Sequence, residues 1–272
     1  MEFKSKYISK KPDLHGRVAY TASENEVWKI LYERQIKIIQ HRACDEFIAG
    51  VQKLHLNKKE IPQLPEVSTH LRALTGWEVA PVTALISAHD FFTLLAHRKF
   101  PAATFIRTLT DLDYVQEPDV FHELFGHCPL LTVPLFADFV HTYAELVLSL
   151  PQEDWALLQR LFWFTVEFGL IQTKKGLRIY GGGILSSFAE TPYSLESCLP
   201  QRQWFNPWVA LRTPYRIDQL QPVYFVIEHY EQLYRFAQSD VRGCLEKVRS
   251  LGEFPPLFEV DPNNPSIHIH AC

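Results

Sequence analysis

A short stretch near the middle of the chain, residues 117–129, reads EPDVFHELFGHCP. Asp119 can cap the first turn of a helix, because its side chain can accept a hydrogen bond from a backbone amide of that turn. Gly126 and the proline that closes the stretch end the helix within about two turns. The stretch therefore predicts one short, well-stopped helix that carries two histidines, His122 and His127.

The spacing of the two histidines differs from that of a familiar zinc motif. A zinc metalloprotease carries His-Glu-x-x-His, whereas here the second histidine comes one residue later. Five residues at about 100° each place the two side chains roughly 140° apart on a regular α-helix. We therefore expect His122 and His127 to reach one metal ion only if the helix unwinds at Gly126.

A single carboxylate lies in an apolar and aromatic run, LFWFTVEFGL, at residues 161–170. Burying an ionised carboxylate without a partner is costly, so Glu167 should pair with a cation or be protonated. A salt bridge to a distant arginine is one possibility. Two neutral imidazoles and one carboxylate, with open positions left over, form the facial triad that suits ferrous iron and oxygen activation. The pattern predicts that His122, His127 and Glu167 hold a metal.

Three consecutive glycines, residues 181–183, follow a predicted strand. The lysine of a phosphate-binding loop is missing and the G-x-G-x-x-G spacing is not met, so a nucleotide-phosphate site is not expected. The glycines predict either a sharp turn after the strand or a wall against which a flat, phosphate-free ligand can lie.

Composition narrows the classes of partner. The 272 residues, 47% of them hydrophobic, suffice for one large domain or two small ones, and a net charge of −4 with interspersed signs argues against nucleic acid. The five cysteines are scattered and form no Cys-x-x-Cys pair, which fits a reducing cytoplasm and leaves histidine and carboxylate as metal ligands. Since neither a signal peptide nor a run of about 18 apolar residues is found, we expect a soluble, cytoplasmic protein with no membrane partner.

Helical patterns dominate the chain. We therefore predict a mostly α fold with a few short strands, built as a single domain over residues 1–272 with its core at about 23–262. The predicted features are a capping box at Ser23–Glu26 that opens a long helical pattern running through Val51, a short helix over Val67–Leu74 that ends near Gly76, a helix over Phe136–Val147 stopped by Pro151, strands at Leu177–Tyr180 and Pro222–Ile227 that make no large sheet, a polar N-terminal tail, and an extended tail from about Phe254.

Seven short motifs occur along the chain in this order: IPQL (61–64), TGW (75–77), EPD (117–119), HE (122–123), GH (126–127), FWFTVEFGL (162–170) and GILSSF (183–188). Through them the chain, from about Ser23 to about Pro262, resembles the catalytic domain of the aromatic amino acid hydroxylases, and among them the short bacterial phenylalanine 4-hydroxylases. The resemblance implies the mostly α fold of that family, with iron(II) bound by His122, His127 and Glu167.

The same resemblance implies roles for residues around the metal. A tetrahydropterin, either tetrahydrobiopterin or a related one, would lie near Phe91 and Ile86, with Glu123 close to its ring. The carboxylate of the amino acid would meet Arg107, whose guanidinium is a natural bidentate partner and which Asp119 would position. The remaining implied roles are a ring pocket shaped by Trp163, Phe168, Gly183 and Ser186, a supporting rather than ligating carboxylate at Glu190, an apolar Phe162 where animal members have tyrosine, and a small apolar Cys128 that is not a fourth ligand.

The expected activity is the hydroxylation of L-phenylalanine to L-tyrosine with O2, non-haem Fe(II) and a tetrahydropterin. Preference for phenylalanine rests on Ile217, aligned through Gln221 and Pro222 with a position where tyrosine hydroxylases carry aspartate, because an apolar wall gives a substrate hydroxyl no partner. Asp218, one residue away, would supply that partner if the alignment slipped by one.

The alternatives are a tyrosine or tryptophan hydroxylase of the same family, a zinc hydrolase built on His122 and His127, and a silent pterin- or metal-binding protein. Because the regulatory domain and the oligomerising helix of animal members have no counterpart in these residues, we expect a monomer or dimer.

Overall fold

Helices account for 51% of the residues that the structure describes and strands for 11%, which confirms the prediction of a mostly α fold with a few short strands. The computed structural model describes residues 6–83 and 85–258. Within these ranges the helices are α1 (Ala22–Ile38), α2 (Asp45–Lys53), α3 (Leu64–Thr75), α4 (Ala88–Ala96), α5 (Pro134–Ser149), α6 (Trp155–Phe162), α7 (Gly182–Leu185), α8 (Glu190–Glu196), α9 (Pro207–Arg212), α10 (Glu231–Ala237) and α11 (Val241–Leu251). The strands are β1 (Glu78–Val82), β2 (Lys99–Ala103), β3 (Leu170–Thr173), β4 (Gly176–Ile179), β5 (Gln201–Trp204) and β6 (Val223–Ile227). Short 3-10 turns span Leu109–Asp111, Leu130–Thr132 and Gln152–Asp154, and π-helical turns span His122–His127 and Trp163–Glu167.

The first helix begins two residues earlier than the sequence pattern predicts. The side chain of Thr21 accepts a hydrogen bond from the Glu24 amide, and the Glu24 carboxylate accepts one from the Thr21 amide at 2.7 Å. The prediction of a capping box at Ser23–Glu26 was therefore wrong, because two overlapping Ser/Thr-x-x-Glu matches occur here and the first one forms. The pattern running through Val51 is also interrupted, since the Cys44 amide pairs with the Ile179 carbonyl of β4 between α1 and α2.

Two later helices match their predicted bounds closely. α3 ends where Gly76 adopts a left-handed conformation with φ of 78°, as expected of a glycine cap. α5 begins at Pro134 and buries its Phe136, Phe139 and Tyr143 face, and it ends before Pro151.

Six strands form two small sheets in the described part of the chain. β1 and β2 pair in parallel, with Val79 opposite Phe100. The second sheet has the order β4-β3-β6-β5, in which β3 and β4 form an antiparallel hairpin and β6 runs parallel to both β3 and β5. The sequence pattern found β4 and β6 but not the four others, and it did not foresee that both belong to one four-stranded sheet.

The segment before α1 packs against the rest of the chain. The Tyr7 ring stacks on Phe105 at 4.7 Å between centroids, and the Lys6 amide donates to the Glu117 carboxylate at 2.9 Å. At the other end, residues 252–258 contain no helix or strand, as expected of an extended tail, and the rest of that predicted tail lies outside the described residues. The predicted core limits of 23 and 262 stay a prediction.

In the two ranges that the structure covers, no single helix is long and apolar enough to cross a membrane. One bent pair, His122–Thr132 with Pro134–Ser149, meets that test only by length and composition, at an angle of 111°.

Candidate metal centre

The two histidines lie on a π-helical turn rather than on a regular α-helix. The Cys128 amide donates to the Glu123 carbonyl at 3.3 Å, which is the i→i+5 bond of a π turn. The wider turn brings His127 to the same side as His122. The prediction that the helix unwinds at Gly126 was wrong in detail, because the whole turn is widened. The glycine instead allows close packing on α7, since a Cβ at Gly126 would lie 2.7 Å from the Gly182 carbonyl oxygen.

Three predicted ligands converge at one point. The Nε2 atoms of His122 and His127 are 3.0 Å apart. Glu167 Oε1 lies 3.2 Å from His127 Nε2, and Glu167 Oε2 lies 3.7 Å from His122 Nε2. Two ligand atoms at right angles, each about 2.1 Å from an ion, are separated by about 3 Å. The three side chains are therefore spaced as neighbouring ligands on one face of a single metal ion.

Glu167 is also placed by a π turn, which runs through Trp163–Glu167. The Phe168 amide donates to the Trp163 carbonyl at 2.9 Å, again an i→i+5 bond. The salt bridge to a distant arginine that the sequence left open for Glu167 is not among the ion pairs of the described residues, where its partners are the two histidines.

A second carboxylate, Glu123, lies beside the histidines, and ligand atoms of His122, Glu123 and His127 fall within 4.8 Å of one another. Burial, together with the charges of Glu167 and Asp119, raises the pKa of Glu123 well above its usual range. Burial acts on Glu167 in the same direction, but the two histidines outweigh it and keep the pKa of Glu167 below its usual value. Because a metal ligand must be deprotonated, both the distances and the charges favour Glu167 as the third ligand.

The His122 ring is held in a form that can bind metal. Burial and the charge of His127 lower the pKa of His122 to about 4, so its imidazole is neutral at pH 7. The Ser186 hydroxyl donates to the Gly182 carbonyl at 2.9 Å and lies 2.9 Å from His122 Nδ1. Since the hydroxyl proton is engaged, Ser186 accepts the Nδ1 proton, which leaves the Nε2 lone pair for a metal.

The triple glycine packs directly against the ligand residues. A Cβ at Gly181 would lie 2.3 Å from the Glu167 carbonyl oxygen, and one at Gly182 would lie 2.4 Å from His127 Nδ1. A Cβ at Gly183 would approach the Phe168 ring to 3.0 Å and the Glu167 carboxylate to 3.1 Å. The sharp turn that the sequence predicts is present between β4 and α7. The predicted wall for a ligand is present only in part, because Gly181 and Gly182 pack against the protein itself and only Gly183 of the three borders the cavity.

Replacement of Gly182 tests this close packing. We expect Gly182→Ala to displace the His127 ring and to weaken iron binding by about 10- to 100-fold, the usual scale when a ligand loses its support. Iron retained after dialysis against a graded chelator measures the change. Gly243→Ala in α11 is the control, because its Cβ would meet only the flexible Asp240 side chain. Wild-type iron retention in Gly182→Ala would contradict the prediction.

Arg107 is fixed by a buried ion pair. Its Nε and Nη2 donate to the two Asp119 oxygens at 2.8 and 2.9 Å, and its backbone amide donates to the same carboxylate at 3.0 Å. Burial opposes ionisation of Asp119, but Arg107 outweighs it and holds the pKa of that carboxyl below its usual value. Asp119 also caps the ligand turn by accepting from the His122 amide at 3.0 Å. One carboxylate thus links the guanidinium to the metal ligands.

A cavity of about 360 Å³ opens beside these groups. Asp119 lies behind Arg107 with no exposed surface, and Ile86 is half-buried against the core rather than at the cavity wall. Cys128 is fully buried and burial raises the pKa of its thiol well above the usual range. The predicted residues that line the cavity are Phe91, Arg107, His122, Glu123, Trp163, Glu167, Phe168, Gly183, Ser186, Glu190 and Ile217.

Sequence reasoning missed several residues around this cavity. Phe100 packs on the His127 ring at 5.1 Å between centroids, and residues 113–118, Gln219 and Leu220 also border the cavity. Gln221 is buried behind the wall and bonds to Trp163. The aromatic content of the chain hints at Phe100. Gln221 served the sequence analysis only as a point of alignment, because its bond to Trp163 joins residues far apart in sequence.

Comparison with known proteins identifies the family. Residues 3–247 match the model of the biopterin-dependent aromatic amino acid hydroxylases. The chain is 52% identical to the phenylalanine-4-hydroxylase of Pseudomonas aeruginosa, over 93% of this chain and 97% of that protein. The structure resembles that of phenylalanine hydroxylase from Legionella pneumophila, with a TM-score of 0.91 and 62% identity over 92% and 100% of the two chains. It also resembles the Chromobacterium violaceum enzyme with bound Fe(III), with a TM-score of 0.86 and 38% identity over 93% and 94%. The chain belongs to the family of biopterin-dependent aromatic amino acid hydroxylases.

Proposed function

We propose that this protein is a phenylalanine 4-hydroxylase, which converts L-phenylalanine to L-tyrosine with O2, iron(II) and a tetrahydropterin. The observation that carries the proposal is a facial set of two imidazoles and one carboxylate that opens into an aromatic cavity holding a single buried guanidinium. The phenylalanine hydroxylases to which the chain is similar support this choice of substrate.

In this proposal His122, His127 and Glu167 hold the iron, and the Fe(III) bound by the Chromobacterium violaceum relative supports that metal. When bound, iron and tetrahydropterin together supply the activation of dioxygen. The protein keeps one face of the metal site open to the cavity and surrounds it with apolar rings that exclude water.

The cavity offers separate places for the two organic ligands. Arg107 would bind the substrate carboxylate through Nη1, because Asp119 engages its Nε and Nη2. Trp163 and Phe168 pack on each other, with ring centroids 4.4 Å apart, and would together form one wall of the pocket for the substrate ring. Phe91 and Glu123 would face the pterin, and Glu190 would support the wall by accepting from Gln221 and Tyr224.

The reaction itself can be tested in one experiment. The protein is loaded anaerobically with iron(II) and then given oxygen, a tetrahydropterin and each aromatic amino acid in turn, with products separated by chromatography. We expect tyrosine from phenylalanine only when all components are present. Activity with zinc and without reductant would instead support a hydrolase, and binding of iron and pterin without any product would support a silent binding protein.

Preference for phenylalanine over tyrosine should depend on Ile217. Both Ile217 and Asp218 line the cavity, but Arg216 engages the Asp218 carboxylate through two hydrogen bonds of 2.8 and 2.5 Å. Desolvating a phenol without a partner costs about 1–3 kcal/mol, so kcat/KM for tyrosine should be lower by about tenfold or more. We expect Ile217→Asp to reduce the difference in kcat/KM between phenylalanine and tyrosine, and Asp218→Asn to leave that difference unchanged. Equal efficiency of the wild type with both substrates would contradict the pocket argument.

We also propose a cytoplasmic location, which the unpaired thiols of Cys44, Cys128 and Cys244 support because they suit a reducing compartment. Whether the protein is a monomer or a dimer stays a prediction, and light scattering would distinguish the two.

A further inference from the structure

The Gln221 side chain lies behind the cavity wall, where it joins two parts of that wall. It is 1% exposed and is not among the residues that border the cavity. Its Oε1 accepts from Trp163 Nε1 at 3.0 Å, and its Nε2 donates to the Arg216 and Gln219 carbonyls at 2.7 and 3.1 Å. A single amide therefore connects the tryptophan on one side with the segment 216–220 on the other.

The orientation of this amide follows from its partners. An indole N–H can only donate, so the atom facing Trp163 must be the oxygen. Two backbone carbonyls can only accept, so the atom facing them must be the nitrogen. No other natural side chain of this length offers one neutral acceptor and two donors at these positions. A methionine at 221 would remove the partner of three partly buried polar groups, the Trp163 N–H and the Arg216 and Gln219 carbonyls, and so would release Trp163 from the segment 216–220.

Both parts that Gln221 joins border the proposed substrate ring. Trp163 lies between Phe168 and Tyr215, with ring centroids 4.4 and 4.7 Å away. Ile217, the residue that should disfavour a substrate hydroxyl, belongs to the segment whose carbonyls Gln221 holds. Displacement of either part would change the position of the substrate ring relative to the metal, even though Gln221 itself would contact neither the substrate nor the metal.

We propose that Gln221 is a positioning residue that fixes the distance between Trp163 and the segment 216–220, and thereby sets substrate fit and the efficiency with which pterin oxidation is used for hydroxylation. This proposal rests on the proposed function. The backbone amide of Gln221, which donates to Glu190 at 3.0 Å, is unaffected by a change of side chain.

Gln221→Met tests the proposal, since it keeps the length of the side chain and removes its polar atoms. We expect kcat/KM for phenylalanine to fall by about tenfold, the order expected of a small misplacement at an active site. We also expect less tyrosine to be formed per tetrahydropterin oxidised. The difference in kcat/KM between phenylalanine and tyrosine as substrates should become smaller, and the iron content should be unchanged.

Gln63→Met is the matched control. Gln63 also makes one accepting and one donating bond, to the Val18 amide and carbonyl at 2.8 and 3.2 Å, but neither residue borders the cavity. It should lower the melting temperature and leave the kinetics and the yield of tyrosine per pterin unchanged. A purely structural Gln221 would behave in the same way, so wild-type kinetics in Gln221→Met would overturn the proposal.

Two further variants keep the test decisive. Trp163→Phe removes the same hydrogen bond from the other side. In a double-mutant cycle of Gln221→Met with Trp163→Phe, kcat/KM of the double variant should fall by less than the product of the two single fold-changes. If Gln221→Met does not fold, Gln221→Asn keeps the amide but cannot span both sides, and wild-type kinetics in that variant would overturn the proposal. An inactive wild type would reject the proposed function instead.

Discussion

Glu167→Gln should lose iron and turnover while remaining folded. The amide is isosteric with the carboxylate but carries no negative charge, so the site keeps two neutral imidazoles and only a weak oxygen ligand. We expect iron affinity to fall by more than about 100-fold, beyond the loss typical of an outer-shell residue, and kcat to fall with it. Metal analysis after gel filtration and a circular dichroism spectrum would measure both effects. His122→Ala and His127→Ala should behave alike.

Glu123→Gln is the matched control, because it makes the same change in a second carboxylate beside the histidines, with ligand atoms within 4.8 Å of theirs. Burial and neighbouring charges raise the pKa of Glu123, whereas the two histidines lower that of Glu167, so loss of the ionisable carboxyl should disturb the site less at Glu123. We expect iron to be retained and the KM for tetrahydropterin to change. Loss of iron in Glu123→Gln with retention in Glu167→Gln would make Glu123 the third ligand.

Arg107→Ala should affect both substrate binding and stability. The variant loses a charge-assisted contact with the substrate carboxylate worth about 1.5–3 kcal/mol, so the KM for phenylalanine should rise by about tenfold to a hundredfold. It also leaves Asp119, which has no exposed surface, as an unpaired buried charge. The free energy of unfolding should therefore fall by about 3–5 kcal/mol. Urea unfolding and steady-state kinetics separate the two effects.

Arg249→Ala provides the comparison for Arg107→Ala. Arg249 pairs with Asp154, whose side chain is only 3% exposed, and neither residue borders the cavity. This variant should lose stability while the KM for phenylalanine stays at the wild-type value. An unchanged KM in Arg107→Ala would show that the substrate carboxylate binds elsewhere.

The three predicted ligands could be proposed from the sequence because their chemistry is unusual. Two histidines on a short element and one acid in the aromatic run before Gly169 need few assumptions about the fold. The π turns were not foreseen, since α and π turns are formed by the same residues and differ only in which amide bonds to which carbonyl. The sequence showed that the histidines could not meet on a regular helix, and it placed the adjustment at Gly126 rather than along the whole turn.

Four strands were missed for a related reason. β1 and β2 contain Pro81 and Pro101, which argue against strands when read locally. β6 pairs with β3 and β5, which are distant in sequence, so its partners cannot be found from periodicity. The hydrogen bond between Gln221 and Trp163, which are also far apart in sequence, could not be found from the sequence for the same reason.

The π turn at His122–His127 makes the chemistry of the site depend on the number of residues between the two histidines as well as on their type. Deleting one residue from Leu124–Gly126 would leave His-Glu-x-x-His, the spacing that places two histidines on one face of an ordinary helix. Insertions or deletions there would therefore shift the ligand register even if every ligand residue were kept. A single residue of backbone separates this arrangement of ligands from one typical of zinc hydrolases. We infer that this segment tolerates exchange of its apolar side chains far better than any change in their number.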